Sequence, residues 1–215
     1  MTVLEAGRAD LVPLYDRLAP VYDRLHHRWL RRAGGEAQAA LEAAVRAALG
    51  PGQALLDAGC GTGAFARRLL ADGCAADLTL LDPSREMLRR CADIPCERVH
   101  GRLEALPFGA ETFDIVTCAW ALETVAEPAA AIVEMARVLR GGGLLCVAFC
   151  AQRPDRGVAD WVIRRSLTRR GTGRFLSVRG VARTIAAQGS FEVRSVPLAG
   201  PAAMVVARRV PGSPR

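Results

Sequence analysis

The chain has 215 residues, 51% of them hydrophobic, which suits one domain with a sizeable core. All 29 basic residues are arginine and the formal net charge is +7, a bias that reads as genomic base composition and gives no footprint for nucleic acid. Seven cysteines without a CxxC pair exclude a secreted disulfide framework, and the longest clean apolar run, LLCVAFCA, falls far short of the roughly 20 residues of a membrane helix.

MTVLEAGRAD lacks the basic-then-apolar architecture of a secretory signal, so a cytoplasmic protein is expected. The stretch LVPLYDRLAPVYDRLHHRWL then repeats Tyr-Asp-Arg-Leu at positions 15–18 and 22–25. Seven residues apart, Tyr15 and Tyr22 share one helix face if the segment stays helical through Pro20. Residues 35–52 are alanine-rich with Leu41, Val45 and Leu49 four apart, which predicts a helix ending sharply at Gly50-Pro51. QALLDAG (53–59) predicts a buried strand and GAFARRLLADG (63–73) a helix.

The alternation continues. ADLTLLD (76–82) reads as strand, PSREMLRRCA (83–92) as helix with Pro83 in its first turn, and CERVHG (96–101) as a short strand. FDIVTCAWAL (113–122) reads as strand, EPAAAIVEMARVLR (127–140) as amphipathic helix, and GGGLLCVAFC (141–150) as a buried strand, with Cys146 and Cys150 as small core residues. A basic helix follows near residues 158–169 and another near 178–188, and FEVRSVPL and PAAMVVARRV predict a terminal hairpin around Gly200. The sum is an α/β fold in a single domain: residues 1–50 form a helical lid and lead-in helix, and residues 51–215 a three-layer core around a mostly parallel sheet with a C-terminal antiparallel hairpin.

The stretch LLDAGCGTG (55–63) carries the functional signal. Gly59, Gly61 and Gly63 let the backbone approach a ligand at a helix N-terminus. Asp57, before the first glycine, would repel a diphosphate and attract an ammonium group, while Asp82, at the end of the next strand, can accept from two ribose hydroxyls. A dinucleotide site would place its third glycine one residue later.

LLDAGCGTG, TLLDPSREML, LPFGAETFDIVTCAWALE and EMARVLRGGGLLCV together resemble the class I S-adenosylmethionine-dependent methyltransferases over residues 15–206. The resemblance implies a Rossmann-like, seven-stranded sheet with an antiparallel last strand, and S-adenosyl-L-methionine as cofactor. It implies that Asp57, Gly59, Cys60, Gly61, Thr62 and Gly63 face the methionine part, Asp82 the ribose, and Pro83 with Met87 the adenine. Arg102 and Leu103 would stand at the adenine edge, and Ala119 with Trp120 beside the sulfonium. The N-terminal stretch resembles the lid of relatives acting on phospholipid amines and isoprenoid quinones, with Tyr15 or Tyr22 closing over the cofactor. This chain departs from the pattern in having Arg102 in GRLEALPF where an acid is common, Glu123-Thr124 where two histidines are common, and Gly142 where a proline is common; a looser turn is expected there.

An oxygen or nitrogen nucleophile must lose a proton on methylation, and the candidate bases are Tyr22, His26, His27 and Glu123. No metal cluster is expected. The apolar lid, Trp29, Trp120 and Trp161 suggest a small-molecule or lipid acceptor, a phospholipid amine or a quinone. Seven arginines (Arg164, Arg165, Arg169, Arg170, Arg174, Arg179, Arg183) would give peripheral contact with the inner face of a membrane. Two other classes are compatible: a regulatory protein that binds the cofactor without transfer, and a nicotinamide-dependent oxidoreductase.

Overall fold

The computed structural model describes residues 10–152, 174–196 and 200–212. The basic helix near residues 158–169, with Trp161, Arg164, Arg165, Arg169 and Arg170, lies outside the described residues.

The chain opens with α1 (Val12–Leu18), a 3-10 turn (Ala19–Val21), α2 (Tyr22–Trp29) and a π turn (Leu30–Gly34), then α3 (Gly35–Ala48). Next come β1 (Ala54–Ala58), α4 (Ala64–Ala71), β2 (Asp77–Asp82), α5 (Arg85–Arg89), β3 (Glu97–His100), β4 (Phe113–Ala119), α6 (Pro128–Val138) and β5 (Leu139–Gln152). The short β6 (Leu176–Ser177), α7 (Val178–Ala186), β7 (Phe191–Val196) and β8 (Ala202–Arg209) complete the described fold.

Seven strands run in the order β3-β2-β1-β4-β5-β8-β7, and β6 adds an eighth alongside β5. β8 is antiparallel to both β5 and β7, so the expected hairpin is present, its later strand inserted between its partner and the parallel strands. Alternation in β5 shows why the sheet is covered on both faces. Leu144, Cys146 and Ala148 pack with Leu41 and Val45 of α3 and with Phe65 and Leu69 of α4. Leu145, Val147 and Phe149 pack with Ile132 and Met135 of α6 and with Val181 and Ile185 of α7. A period of two on buried strands and helices on either side give three layers. Truncating any of these large buried side chains to alanine costs about 2–5 kcal/mol.

Several boundaries differ from the sequence reading. The N-terminal segment is not one helix, because Pro20 sits in a 3-10 turn and Val21 leaves helical geometry at φ −120°. The helix after β2 is shorter than 83–92 and Pro83 precedes it; Ser84 is its N-cap, accepting from the Met87 N–H at 3.1 Å. The fourth strand ends at Ala119, since Trp120 turns to φ +62°. Gly142, at φ +80°, lies within β5, where the pairing with β4 shifts register between Phe113 and Ile115; the looser turn is an irregularity in the strand.

After β3 the chain crosses to the other side of β1 to make β4, so the strand order reverses between β1 and β4. In open α/β sheets a crevice forms at the C-terminal ends of the strands at such a point. Asp57 and Trp120 stand there.

Candidate functional site

The crevice is a cleft of about 850 Å³ with an adjoining hollow of about 380 Å³, both counting their open mouths. Tyr15, Tyr22, Gly59, Gly61, Asp82, Pro83, Met87, Arg102, Leu103, Ala119 and Trp120 line the cleft. Asp57, Cys60, Thr62 and His26 line the hollow, which shares Tyr22, Gly59, Gly61, Ala119 and Trp120 with the cleft. Gly63 lines neither. It caps α4 at φ +77°, and a Cβ there would lie 2.5 Å from Ile94 Cδ1, so it shapes the loop from behind.

Asp82 organises one end of the cleft. Its Oδ2 accepts from the Gly61 N–H and its Oδ1 from the Ser84 N–H, both at 2.8 Å. Each oxygen keeps a further lone pair for an incoming hydroxyl. Burial pushes its pKa up to about 6, against the pull of those two N–H groups.

Asp57, in the strand expected to be buried, is only 2% exposed, and its Oδ1 accepts from the Thr117 hydroxyl of β4 at 3.0 Å. Burial pushes its pKa up to about 7, the Thr117 hydrogen bond opposing. Its carboxyl therefore shares its time between neutral and ionised forms near neutral pH. A ligand ammonium in the hollow would draw it to the carboxylate.

The two tyrosines meet despite the broken helix, their rings 6.0 Å apart and edge to face. Burial raises both phenols above their ordinary value, so they stay protonated and donate hydrogen bonds. His26 stacks on Tyr22 at 5.6 Å, and burial pushes its pKa down to about 4, which leaves a neutral ring. His27 is exposed and lines neither cavity. Glu123, in the turn after β4, is 4% exposed, with Oε1 accepting from the Cys150 N–H at 3.1 Å and its pKa pushed by burial up to about 7.

Arg102 lines the cleft together with its partner Asp10. Its guanidinium pairs with Asp10 at 2.5 Å, between exposed side chains, while Leu103 is buried beneath the cleft. Three further contacts were not anticipated from the sequence. Asp16 accepts from the Ser84 hydroxyl at 2.5 Å, Asp23 accepts from the Thr62 hydroxyl, and Gln38 of α3 accepts from the Trp120 indole N–H at 2.8 Å. The repeated Tyr-Asp pairs were the available signal for the first two: each tyrosine faces the cleft and the aspartate after it holds the rim. Among the described residues no cluster of three or more potential metal ligands occurs, and no helix is long and apolar enough to cross a membrane.

Residues 56–147 match the methyltransferase-domain family. The chain is 35% identical over 144 residues to the ubiquinone/menaquinone biosynthesis C-methyltransferase UbiE of Syntrophotalea carbinolica, covering 64% of this chain and 60% of that protein. It is 35% identical over 151 residues to the demethylmenaquinone methyltransferase of Mycobacterium tuberculosis, covering 67% and 60%. The match thus spans about three fifths of the length of these relatives. Among solved structures, the cyclase SpnF superposes with a TM-score of 0.78 at 19% identity, over 99% of this chain and 100% of that one. The S-adenosylmethionine-dependent methyltransferase of Mesorhizobium loti does so with a TM-score of 0.62 at 20% identity, over 77% and 96%. At such identities the structural likeness speaks for the fold alone.

Proposed function

We propose that the chain, whose residues 56–147 match the methyltransferase-domain family, is a class I S-adenosylmethionine-dependent methyltransferase that methylates an apolar, ring-bearing acceptor of the quinol type. The reading rests on one observation above all, the anchored Asp82 carboxylate, which presents lone pairs beside the Gly59–Gly61 backbone in a cleft that Leu11, Val12, Tyr15, Met87 and Trp120 also line. The acceptor class is supported by the two quinone-pathway relatives.

S-adenosylmethionine held here supplies a methyl group already activated on a sulfonium. The chain's part is mainly alignment and the exclusion of water. Asp82 is the ribose acceptor, Met87 and Leu103 flank the adenine, and Asp57 in the hollow receives the ammonium. Trp120 and Tyr22, shared by cleft and hollow, offer aromatic surface to a cation, an interaction worth about 0.5–2 kcal/mol. Leu11, Val12 and Val125 leave an apolar wall for the acceptor. Arginines between residues 164 and 183 would hold the enzyme near anionic lipid, where such acceptors reside.

The test is transfer of labelled methyl to three acceptors: a demethylated naphthoquinol, phosphatidylethanolamine vesicles and a soluble catechol. The reading expects label in the naphthoquinol. Label in the vesicles or the catechol alone would overturn the quinol assignment, and cofactor binding without label in any acceptor would favour a regulatory protein.

A further inference from the structure

Residues 10–34, from the start of α1 to the π turn, sort their charges. The three aspartates are tied to the body of the protein: Asp10 pairs with Arg102, Asp16 accepts from the Ser84 hydroxyl and Asp23 accepts from the Thr62 hydroxyl. The arginines face solvent instead. Arg17 of α1, Arg24 and Arg28 of α2, and Arg31 and Arg32 of the π turn are all exposed, and their guanidinium groups make no ion pair or hydrogen bond among the described residues. Other exposed arginines are matched by acids: Arg46 meets Glu42 and Asp72, Arg89 meets Glu86, and Arg140 meets Asp114.

Helix geometry explains the sorting. On α2, Tyr22, His26 and Trp29 recur at helical spacing on one face; Tyr22 and His26 line the hollow, and Trp29 packs on Trp120. Arg24 and Arg28, four residues apart, fall on the opposite face, and Arg31 follows one turn later. Leu25 stands beside them at 38% exposure. The apolar face of α2 is thus occupied by the protein's own interior, and its outer face offers a row of cations with one leucine. A row whose charge no neighbouring acid cancels is the complement of a polyanion. A single-stranded nucleic acid would call for aromatic rings between the cations to stack its bases. Here Tyr15, Tyr22 and Trp29 all turn inward. A bilayer surface needs only the positive charge and also accepts an exposed leucine.

We propose that the outer face of the N-terminal helices, centred on Arg24, Arg28 and Arg31, docks the protein on an anionic lipid surface. The choice of lipid over other polyanions rests on the quinol reading above, because an apolar acceptor resides in the bilayer. The contact is separate from the arginines of residues 164–183. Leu11, Val12 and Tyr15 of the same segment line the cleft, so lipid and cleft stand on two sides of one helical layer, about 10 Å thick. Docking there holds the cleft beside the phase that stores its acceptor.

The test is co-sedimentation of the full chain with vesicles of phosphatidylcholine, with or without phosphatidylglycerol, in the absence of cofactor and acceptor. Wild type should bind the phosphatidylglycerol vesicles and lose them as salt rises toward about 1 M, where screening acts within about 3 Å. The triple variant Arg24→Gln, Arg28→Gln, Arg31→Gln should bind them roughly 10²-fold more weakly, about fivefold for each charge near the surface. A control triple, Arg90→Gln, Arg140→Gln, Arg194→Gln, loses the same net charge from exposed positions on other elements and should stay within about threefold of wild type. Both variants should keep the wild-type thermal midpoint. Residues 164–183 are unchanged in all three proteins, so the difference between the triples reads the N-terminal face. No binding to anionic vesicles, equal binding to neutral ones, an equal loss in both triples, or a wild type that binds an RNA oligonucleotide and no vesicle would overturn the proposal. The expected vesicle binding in a protein that methylates no naphthoquinol would support the docking surface and overturn the quinol reading instead.

Discussion

Asp16 and Ser84 are 68 residues apart in the chain, yet the Ser84 hydroxyl donates to the Asp16 carboxylate at 2.5 Å. Ser84 is also the N-cap of α5, directly after the strand that ends in Asp82. The N-terminal helices therefore rest on the rim of the cleft beside Asp82. Asp23 repeats the device on Thr62 of the glycine loop, and Asp10 pairs with Arg102, both lining the cleft. Asp16→Ala and Asp23→Ala should each weaken S-adenosylhomocysteine binding by about five- to tenfold, the loss of one charge-assisted hydrogen bond. Asp10→Ala should change it by less than about threefold, because its ion pair is exposed. Calorimetric titration of the three variants checks the order.

The first glycine of the loop admits no side chain. Gly59 lies at φ +78°, and a Cβ there would stand 2.4 Å from Ala121 Cβ. Gly59→Ala should cost about 1–2 kcal/mol in backbone strain alone. It should also push the turn after β4 out of the cleft, so the thermal midpoint falls and S-adenosylhomocysteine binding is lost together with it. A variant that binds normally would show that the loop and Ala121 can separate freely.

Trp120 is held against its backbone preference. It sits at φ +62°, its indole N–H donates to Gln38, and Trp29 packs edge to face at 5.6 Å. Gln38 in turn donates to Glu42, which receives Arg68. Gln38→Leu strands a buried N–H and should destabilise by about 1–3 kcal/mol. In Trp120→Phe, which has no donor, the same Gln38→Leu change should cost much less, and this double-mutant cycle by urea unfolding measures the link.

The three buried acids make stability depend on pH in an unusual direction. Asp57, Asp82 and Glu123 have folded pKa values pushed up to about 7, 6 and 7 from ordinary values of 3.8, 3.8 and 4.5. Between those limits the folded state holds more protons than the unfolded one, so their contribution to stability is present below about pH 4 and is lost as pH rises to about 7. His26, lowered from 6.5 to about 4, acts in the opposite sense over part of that range. Asp57→Asn should therefore gain stability relative to wild type at about pH 8 and gain little at about pH 5. Urea midpoints at the two pH values give the comparison. Cofactor should narrow it, since an ammonium beside Asp57 removes the penalty on its ionised form.

Much of this was legible because it is local. The strand, glycine loop and helix of residues 54–71, and acids at two successive strand ends, are patterns a few residues long, and the structure brings Asp57, Gly59, Gly61 and Asp82 to one crevice. Local patterns also misled. Pro20 sits between two matching Tyr-Asp-Arg-Leu stretches, and the missing N–H of proline produced a 3-10 turn that the repeat alone did not reveal. The shortness of α5 follows from Ser84 capping it late, a signal present in Pro-Ser-Arg-Glu. Gln38 is different. One amide in an alanine-rich helix carries no sign of the indole 82 residues away that it holds, because that contact exists only once α3 has packed on the sheet.

The most direct measurement is a calorimetric titration of wild type and Asp82→Asn with S-adenosylhomocysteine and, separately, with NAD. One S-adenosylhomocysteine should bind per chain, Asp82→Asn should weaken it at least about tenfold by losing the charge that receives the ribose hydroxyls, and NAD should give no heat of binding. Tight NAD binding with no response to S-adenosylhomocysteine, or an Asp82→Asn variant that binds S-adenosylhomocysteine as well as wild type, would contradict the assignment of this cleft.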